Sequence, residues 1–243
     1  MRSYCLLAAI GWVLLAPHLA LGQRAETEPS SLAAAAPTPA LLGELAALDQ
    51  LHAEAIADKK RLMHAVLGAG VVSIAGGGAM MFIEASDQAY RVAGGCTLVF
   101  GAIDAVIALT SLRGIGRAAR MWESERPTRN NAARLQQTRA RWLAAERGEG
   151  IAYALNLGLD IAYLSSGLTA VAASQLGAEH PERWLAGGLS VSLQALFLVG
   201  IDLAGLRQAG RLHERLLHDL VPSVSMVGAF SEPALGVAVA GRM

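Results

Sequence analysis

The hydrophobic positions of the chain fall into four long apolar segments separated by shorter polar ones. The segments cover residues 62–83, 92–112, 151–173 and 184–206. None contains Lys or Arg, and each is long enough to cross about 30 Å of hydrocarbon as an α-helix. Short connections at 84–91 and 174–183 predict two antiparallel hairpins. The pattern therefore predicts an all-α fold, a four-transmembrane-helix bundle.

Amphipathic segments flank the predicted spans. Thr38 offers an N-cap and Pro39 suits a first helical position, after which leucines recur at helical spacing. We expect this helix to pack on the membrane surface or on the bundle. A basic amphipathic loop covers 113–149, where Thr128 is a candidate helix cap, and another amphipathic helix follows residue 206. The helical membrane domain would then cover 38–220, with a loose tail at 221–243.

The N-terminus has the pattern of a signal peptide. Arg2 precedes an apolar stretch that Pro17 ends, and small residues come before Gln23. The stretch is too short to span a bilayer, which favours removal of residues 1–22. An uncleaved first helix is the alternative. Residues 23–37, rich in Ala, Ser, Glu and Pro, are typical of a flexible spacer.

Composition excludes several classes of protein. Hydrophobic residues make up 53% and charged residues 16%, against about 25% charged in average soluble domains. Formal net charge is zero, so no global charge favours nucleic acid. The sequence has no P-loop, no His-Glu-x-x-His and no paired-cysteine metal pattern. We expect a membrane protein of a bacterial inner membrane that is not an enzyme and needs no cofactor.

Basic residues are distributed unequally between the two sides of the predicted bundle. After residue 22, 17 Lys and Arg fall in 23–61, 113–149 and 207–243, and only Arg91 and Arg183 fall in the short connections. The positive-inside rule places the larger group in the cytoplasm, whereas a cleaved signal peptide would place it outside. The sequence leaves the orientation open. The nine arginines of 113–149 are expected to meet anionic lipid headgroups. A protein partner or a homo-oligomer is left open.

The residues that could carry out chemistry lie inside the predicted spans. Asp104, Asp160 and Asp202 each fall in an apolar segment, and a carboxylate at mid-bilayer costs on the order of 2.5–3.5 kcal/mol. Such groups must face the bundle interior, be protonated or find donors. At 100° per residue their polar neighbours share their helix faces. The predicted polar seam consists of Asp104, Tyr153, Asn156, Asp160, Tyr163, Gln194 and Asp202. Span one is expected to supply a smooth packing face of Gly68, Ala75 and Ala79.

Two functions follow from the polar seam. In the first, its side chains hydrogen-bond between helices and fix the packing of an accessory or scaffolding membrane protein. Such bonds contribute only about 0.6 kcal/mol in lipid, so their role would be specificity. In the second, Asp104 and Asp160 form a proton or cation path. The absence of a proline within the spans and of an inverted repeat favours the first function.

The stretch from Asn156 to Tyr163 resembles a signature of an uncharacterised bacterial family of four-helix membrane proteins. The stretch from Gly188 to Leu198, followed by Asp202, is similar to a second signature of that family. Ala195 stands where the family would have glycine, and the long Ala/Pro spacer is another departure. The resemblance implies the membrane architecture and a role for Asn156, Asp160, Gln194 and Asp202. It implies no reaction.

Overall fold

The computed structural model describes residues 38–83, 87–129 and 131–218, so the predicted signal peptide, spacer and tail lie outside the described residues. Four long helices make up nearly all of this part of the chain. They are α1 (Pro39–Ile83), α2 (Gln88–Ser124), α3 (Ala132–Gln175) and α4 (Pro181–His218), with a short 3-10 helix at Arg126–Arg129. The predicted all-α class is confirmed.

All four helices are long and apolar enough to cross a membrane, which indicates a multi-pass membrane protein. Their large apolar side chains point outward along the spans, as Val72, Leu155 and Leu193 illustrate with more than half of each side chain exposed. An apolar surface of this extent is rare on a monomer that is soluble in water. Lipid tails, in contrast, solvate these side chains.

Short polar side chains determine where the helices begin. The Thr38 hydroxyl accepts a hydrogen bond from the backbone N–H of Leu41 at 3.3 Å, as expected of an N-cap. The expectation of a cap at Thr128 is wrong, because Thr128 lies in the 3-10 helix. Asn131 caps α3 instead, because its side-chain oxygen accepts a hydrogen bond from the backbone N–H of Ala133 at 2.9 Å.

Each helix continues well beyond its apolar segment. Helix α1 has 45 residues, which corresponds to about 67 Å, whereas the hydrocarbon needs only about 30 Å. The amphipathic segment before span one and the span itself are therefore a single helix. The same holds for the ends of α2 and α4 and for the beginning of α3. We call the part formed by 39–61, 113–129, 132–150 and 207–218 the head.

Glycines let the helix backbones touch within the spans. A Cβ added at Gly77 would lie 2.6 Å from the backbone nitrogen of Leu98, and one at Gly70 would lie 2.8 Å from the carbonyl oxygen of Gly101. Helices α1 and α2 therefore run antiparallel in close contact. Gly167 and Gly188 bring α3 and α4 equally close. Small residues commonly allow such approach in membranes.

The face of α1 that packs on α2 is not the one expected. Gly68, Ala75 and Ala79 are exposed, whereas Gly70 and Gly77 are buried against α2. Small residues occur on both faces of this helix, so side-chain size alone did not distinguish them. The backbone contacts with α2 select the face of Gly70 and Gly77.

The head contains the hydrophobic core of the described chain. Side chains from α1, α3 and α4 meet there, with Trp122 of α2 packed against them. The buried members are Leu45, Leu48, Leu51, Ala55, Leu135, Trp142, Leu212 and Leu216. These residues have helical spacing on each helix, which explains why the amphipathic segments associate with one another. Removal of their apolar surface from water stabilises the head.

Polar and aromatic groups connect the helices around this core. Asp49 accepts a hydrogen bond from the indole N–H of Trp122 at 2.8 Å and one from Arg129 at 3.1 Å. The fully buried guanidinium of Arg129 lies over the Trp122 ring, 4.0 Å from its centroid. His52 stacks on Trp122 with ring centroids 4.0 Å apart. Burial, with the charges of Arg129 and Lys59, lowers the pKa of His52 to about 4, and Asp49 opposes this shift.

We expect Gly77→Ala to destabilise the protein by about 1–3 kcal/mol, because its Cβ would collide with the backbone of α2. Gly76→Ala is the matched control, since a Cβ there meets nothing within 4 Å. Thermal unfolding of both purified variants in detergent checks this. Equal melting temperatures would contradict the packing described here.

The head should lose stability as the pH falls from about 6.5 to about 4. In that range the unfolded chain protonates His52 whereas the folded head keeps it neutral, so protons favour unfolding. His52→Gln should remove this component of the pH dependence. The measurement is unfolding at pH 7 and pH 4.5, followed by tryptophan fluorescence, for wild type and variant. An identical loss in both proteins would count against the buried neutral imidazole.

Candidate functional site

Three carboxyl side chains are buried within the spans, one on each of three helices. Asp104 on α2 is 3% exposed, Asp160 on α3 is 0% exposed, and Asp202 on α4 is 6% exposed. All three therefore face the interior of the bundle and not the lipid. This burial removes the carboxyl groups from acyl chains, where a charged group is costly.

Asp104 has a polar partner across the bundle. The amide nitrogen of Gln194 donates a short hydrogen bond to its carboxylate, so the structure brings these two residues of the polar seam together. On the same two helices, the hydroxyl groups of Thr97 and Ser190 share a hydrogen bond at 2.7 Å. These contacts hold α2 against α4 through polar groups.

Asp160 and Asp202 face one another with few other partners. Each lies close enough for the other's carboxyl group to act on it, and Asp104 also lies within electrostatic range of Asp160. Among the described residues, neither carboxyl oxygen of Asp160 meets a hydrogen-bond donor, nor does Oδ2 of Asp202. Two ionised carboxylates that face each other in a low-dielectric interior would repel strongly.

The rest of the predicted seam lies along one face of α3. Tyr153, Asn156, Asp160 and Tyr163 are all at least partly buried. The Tyr153 ring packs on Gly205 of α4, where a Cβ would collide with it. Tyr163, one turn after Asp160, is within electrostatic range of that carboxyl group. Asn156 lies one turn before Asp160 and is partly buried.

A polar cluster at the boundary between head and spans continues this face. Lys59 of α1 forms ion pairs with Glu146 at 2.6 Å and with Glu149 at 2.8 Å. Glu146 is 2% exposed and also accepts a hydrogen bond from the indole of Trp142 at 2.9 Å. Glu149 is 39% exposed in its side chain and therefore reaches solvent.

Electrostatics in this boundary cluster are strong because it is partly desolvated. Burial lowers the pKa of Lys59, but the carboxylates of Glu149 and Glu146 outweigh burial and leave that pKa above its usual value. Burial raises the pKa of Glu149, with Lys59 opposing the shift. The lysine is therefore held charged between two carboxyl groups.

Sequence reasoning did not select these boundary residues. It placed Lys59 before the first predicted span and Glu146 and Glu149 in the basic amphipathic loop at 113–149. Their spacing from Tyr153 was the available signal, because Glu149, Tyr153, Asn156 and Asp160 recur at intervals of three or four residues. This spacing was not used, because the predicted loop ends at residue 149 and the third predicted span begins at residue 151.

The arrangement provides carboxyl groups that can exchange protons in a water-poor interior. Among the residues that the structure describes, no three His, Cys, Asp or Glu side chains converge as a metal site would require. Glu149 and Tyr153 lie between the buried carboxyl groups and the solvent at the head.

A family model described as a family of unknown function (DUF6992) matches residues 65–203. Because this match covers more than half of the chain, the chain belongs to that family. It covers most or all of each of the four spans and agrees with the expected membership of an uncharacterised family. No curated protein and no solved structure shows significant similarity to the chain.

Proposed function

We propose that this member of the DUF6992 family moves protons across the membrane by binding and releasing them in the interior of its four-helix bundle. The observation that supports this proposal most directly concerns Asp160. Its side chain is fully buried, and neither of its carboxyl oxygens meets a hydrogen-bond donor among the described residues. A carboxyl group retained only for packing would be expected to have a hydrogen-bond donor opposite it. Asp160 instead faces the carboxyl group of Asp202.

Polar groups on either side of Asp160 support proton movement. Towards the head, Tyr153 is within electrostatic range of both Glu149 and Asp202. Beside Asp160, Asp104 lies within electrostatic range of that carboxyl group and accepts a hydrogen bond from Gln194. Groups that can donate and accept protons therefore extend from a solvent-accessible glutamate to the middle of the spans.

A second candidate function is that of an accessory or scaffolding membrane protein, in which the polar seam only fixes helix packing. The head favours this function, because its apolar core and its ion pairs join helices that are far apart in sequence. A rigid head outside the membrane is suited to hold another protein. The two candidates differ in what they require of Asp160.

The bundle is best understood as two antiparallel transmembrane hairpins, α1–α2 and α3–α4, with both connections on the side opposite to the head. The head contains the basic segments, whereas the connections contain only Arg91 and Arg183. The positive-inside rule then places the head in the cytoplasm, against the orientation that a cleaved signal peptide would give.

Reporter fusions test this orientation. Fusions at residues 50 and 130 should report a cytoplasmic location, and a fusion at residue 178 should report the opposite side. N-terminal sequencing of the mature chain shows at the same time whether residues 1–22 are removed. A head on the side of the membrane opposite to the cytoplasm would overturn the orientation proposed here.

Replacing Asp160 with Asn distinguishes the two functions. Wild-type protein in liposomes should conduct protons when a potassium gradient and valinomycin impose a potential, and Asp160→Asn should lower this flux at least tenfold. The measurement uses a pH-sensitive dye inside the liposomes. Asp58→Asn is the matched control, because Asp58 is an exposed aspartate of the head and should not change the flux.

The scaffolding candidate makes the opposite forecast for the same variant. In that case wild type carries no proton flux, and Asp160→Asn folds with unchanged or higher stability because a neutral amide replaces a buried acid. Absence of flux in the wild type would sink the proton proposal. Size-exclusion chromatography in detergent verifies that each variant is folded before the flux is compared.

A further inference from the structure

Exposed basic side chains surround the protein where the spans meet the head. They come from all four helices and lie within three turns of the end of each apolar segment. The set, which we call the basic collar, consists of Lys60, Arg61, Arg113, Arg117, Arg120, Arg147, Arg207 and Arg211. In the described part of the chain, Arg61 alone among them pairs with a carboxylate, Asp58 at 3.1 Å. The others are available to an external anion.

One groove in the collar combines charge with apolar surface. It lies between α3 and α4, has a volume of about 420 Å³, and is lined by Leu143, Ala144, Arg147, Gly148, Ile151 and His213. Gly148 leaves it open, because a Cβ there would meet nothing within 4 Å.

Within the groove the polar groups of Arg147 and His213 lie on the head side of Ile151, with apolar Leu143 and Ala144 beside them. Arg147 and His213 can both donate hydrogen bonds to an anionic oxygen. Ile151 begins the third apolar segment and is 58% exposed, so it borders the hydrocarbon. A molecule with an anionic group joined to an acyl chain matches this division, whereas a soluble anion would use only half of it.

We propose that this groove binds one anionic phospholipid, whose phosphate contacts Arg147 and His213 while an acyl chain lies against Ile151. This inference is independent of proton binding by the buried aspartates, since the groove shares no residue with them. It goes beyond a general attraction of basic residues to the membrane surface, because it assigns a single site and its contacts.

The test measures thermal stabilisation of the detergent-purified protein by added lipid. Phosphatidylglycerol should raise the melting temperature in a saturable manner, while phosphatidylcholine at the same concentration should not. Arg147→Gln should weaken the apparent affinity for phosphatidylglycerol about fivefold, which is the contribution of one basic residue near an anionic headgroup. Arg141→Gln is the matched control, an exposed arginine of the same helix outside the groove.

A second variant tests the groove without changing its charge. Gly148→Leu fills the open space and should abolish the saturable stabilisation while the protein remains folded. Equal stabilisation by both lipids would overturn the proposal, as would equal weakening by Arg141→Gln and Arg147→Gln. Stabilisation by inorganic phosphate alone, to the same extent as by phosphatidylglycerol, would assign the site to a soluble anion and also overturn it.

Discussion

The fold depends on enclosing carboxyl groups inside a lipid-embedded bundle. A bilayer offers no water to solvate Asp104, Asp160 and Asp202, so other helices must cover them. Covering is effective only when the helices approach closely, and glycine contacts such as that between Gly77 and Leu98 bring the backbones together. The small residues and the buried acids are therefore two parts of one arrangement. Without close packing, the carboxyl groups would face acyl chains.

The same four helices are stabilised differently in their two halves. In the spans there is no hydrophobic force between helices, because lipid tails are as apolar as the side chains. In the head, water surrounds the helices, and burial of residues such as Leu48 and Leu216 supplies that force. The head thus holds the helices in register at one end, which favours a fixed relative position of the three aspartates on α2, α3 and α4.

The boundary between the halves concentrates the polar chemistry. Lys59 holds Glu146 and Glu149 inward, while the arginines of the basic collar point outward. Inward groups lead along α3 towards Asp160, and outward groups face the level of lipid headgroups. The residues at this boundary are therefore relevant to both proposals. The inward faces of the helices would contribute to the proton path, and the outward faces would contact the phospholipid.

Periodicity and composition predicted four helices apolar enough to span a membrane and the burial of the three aspartates, because a long apolar segment has few alternatives to a membrane helix. They did not determine that flanking segments and spans form continuous helices, since nothing local marks that junction. The packing face of α1 and the pairing of Lys59 with Glu146 were decided by tertiary structure. Each depends on contacts between residues distant in sequence, and when several faces carry similar residues, only the neighbouring helix selects one.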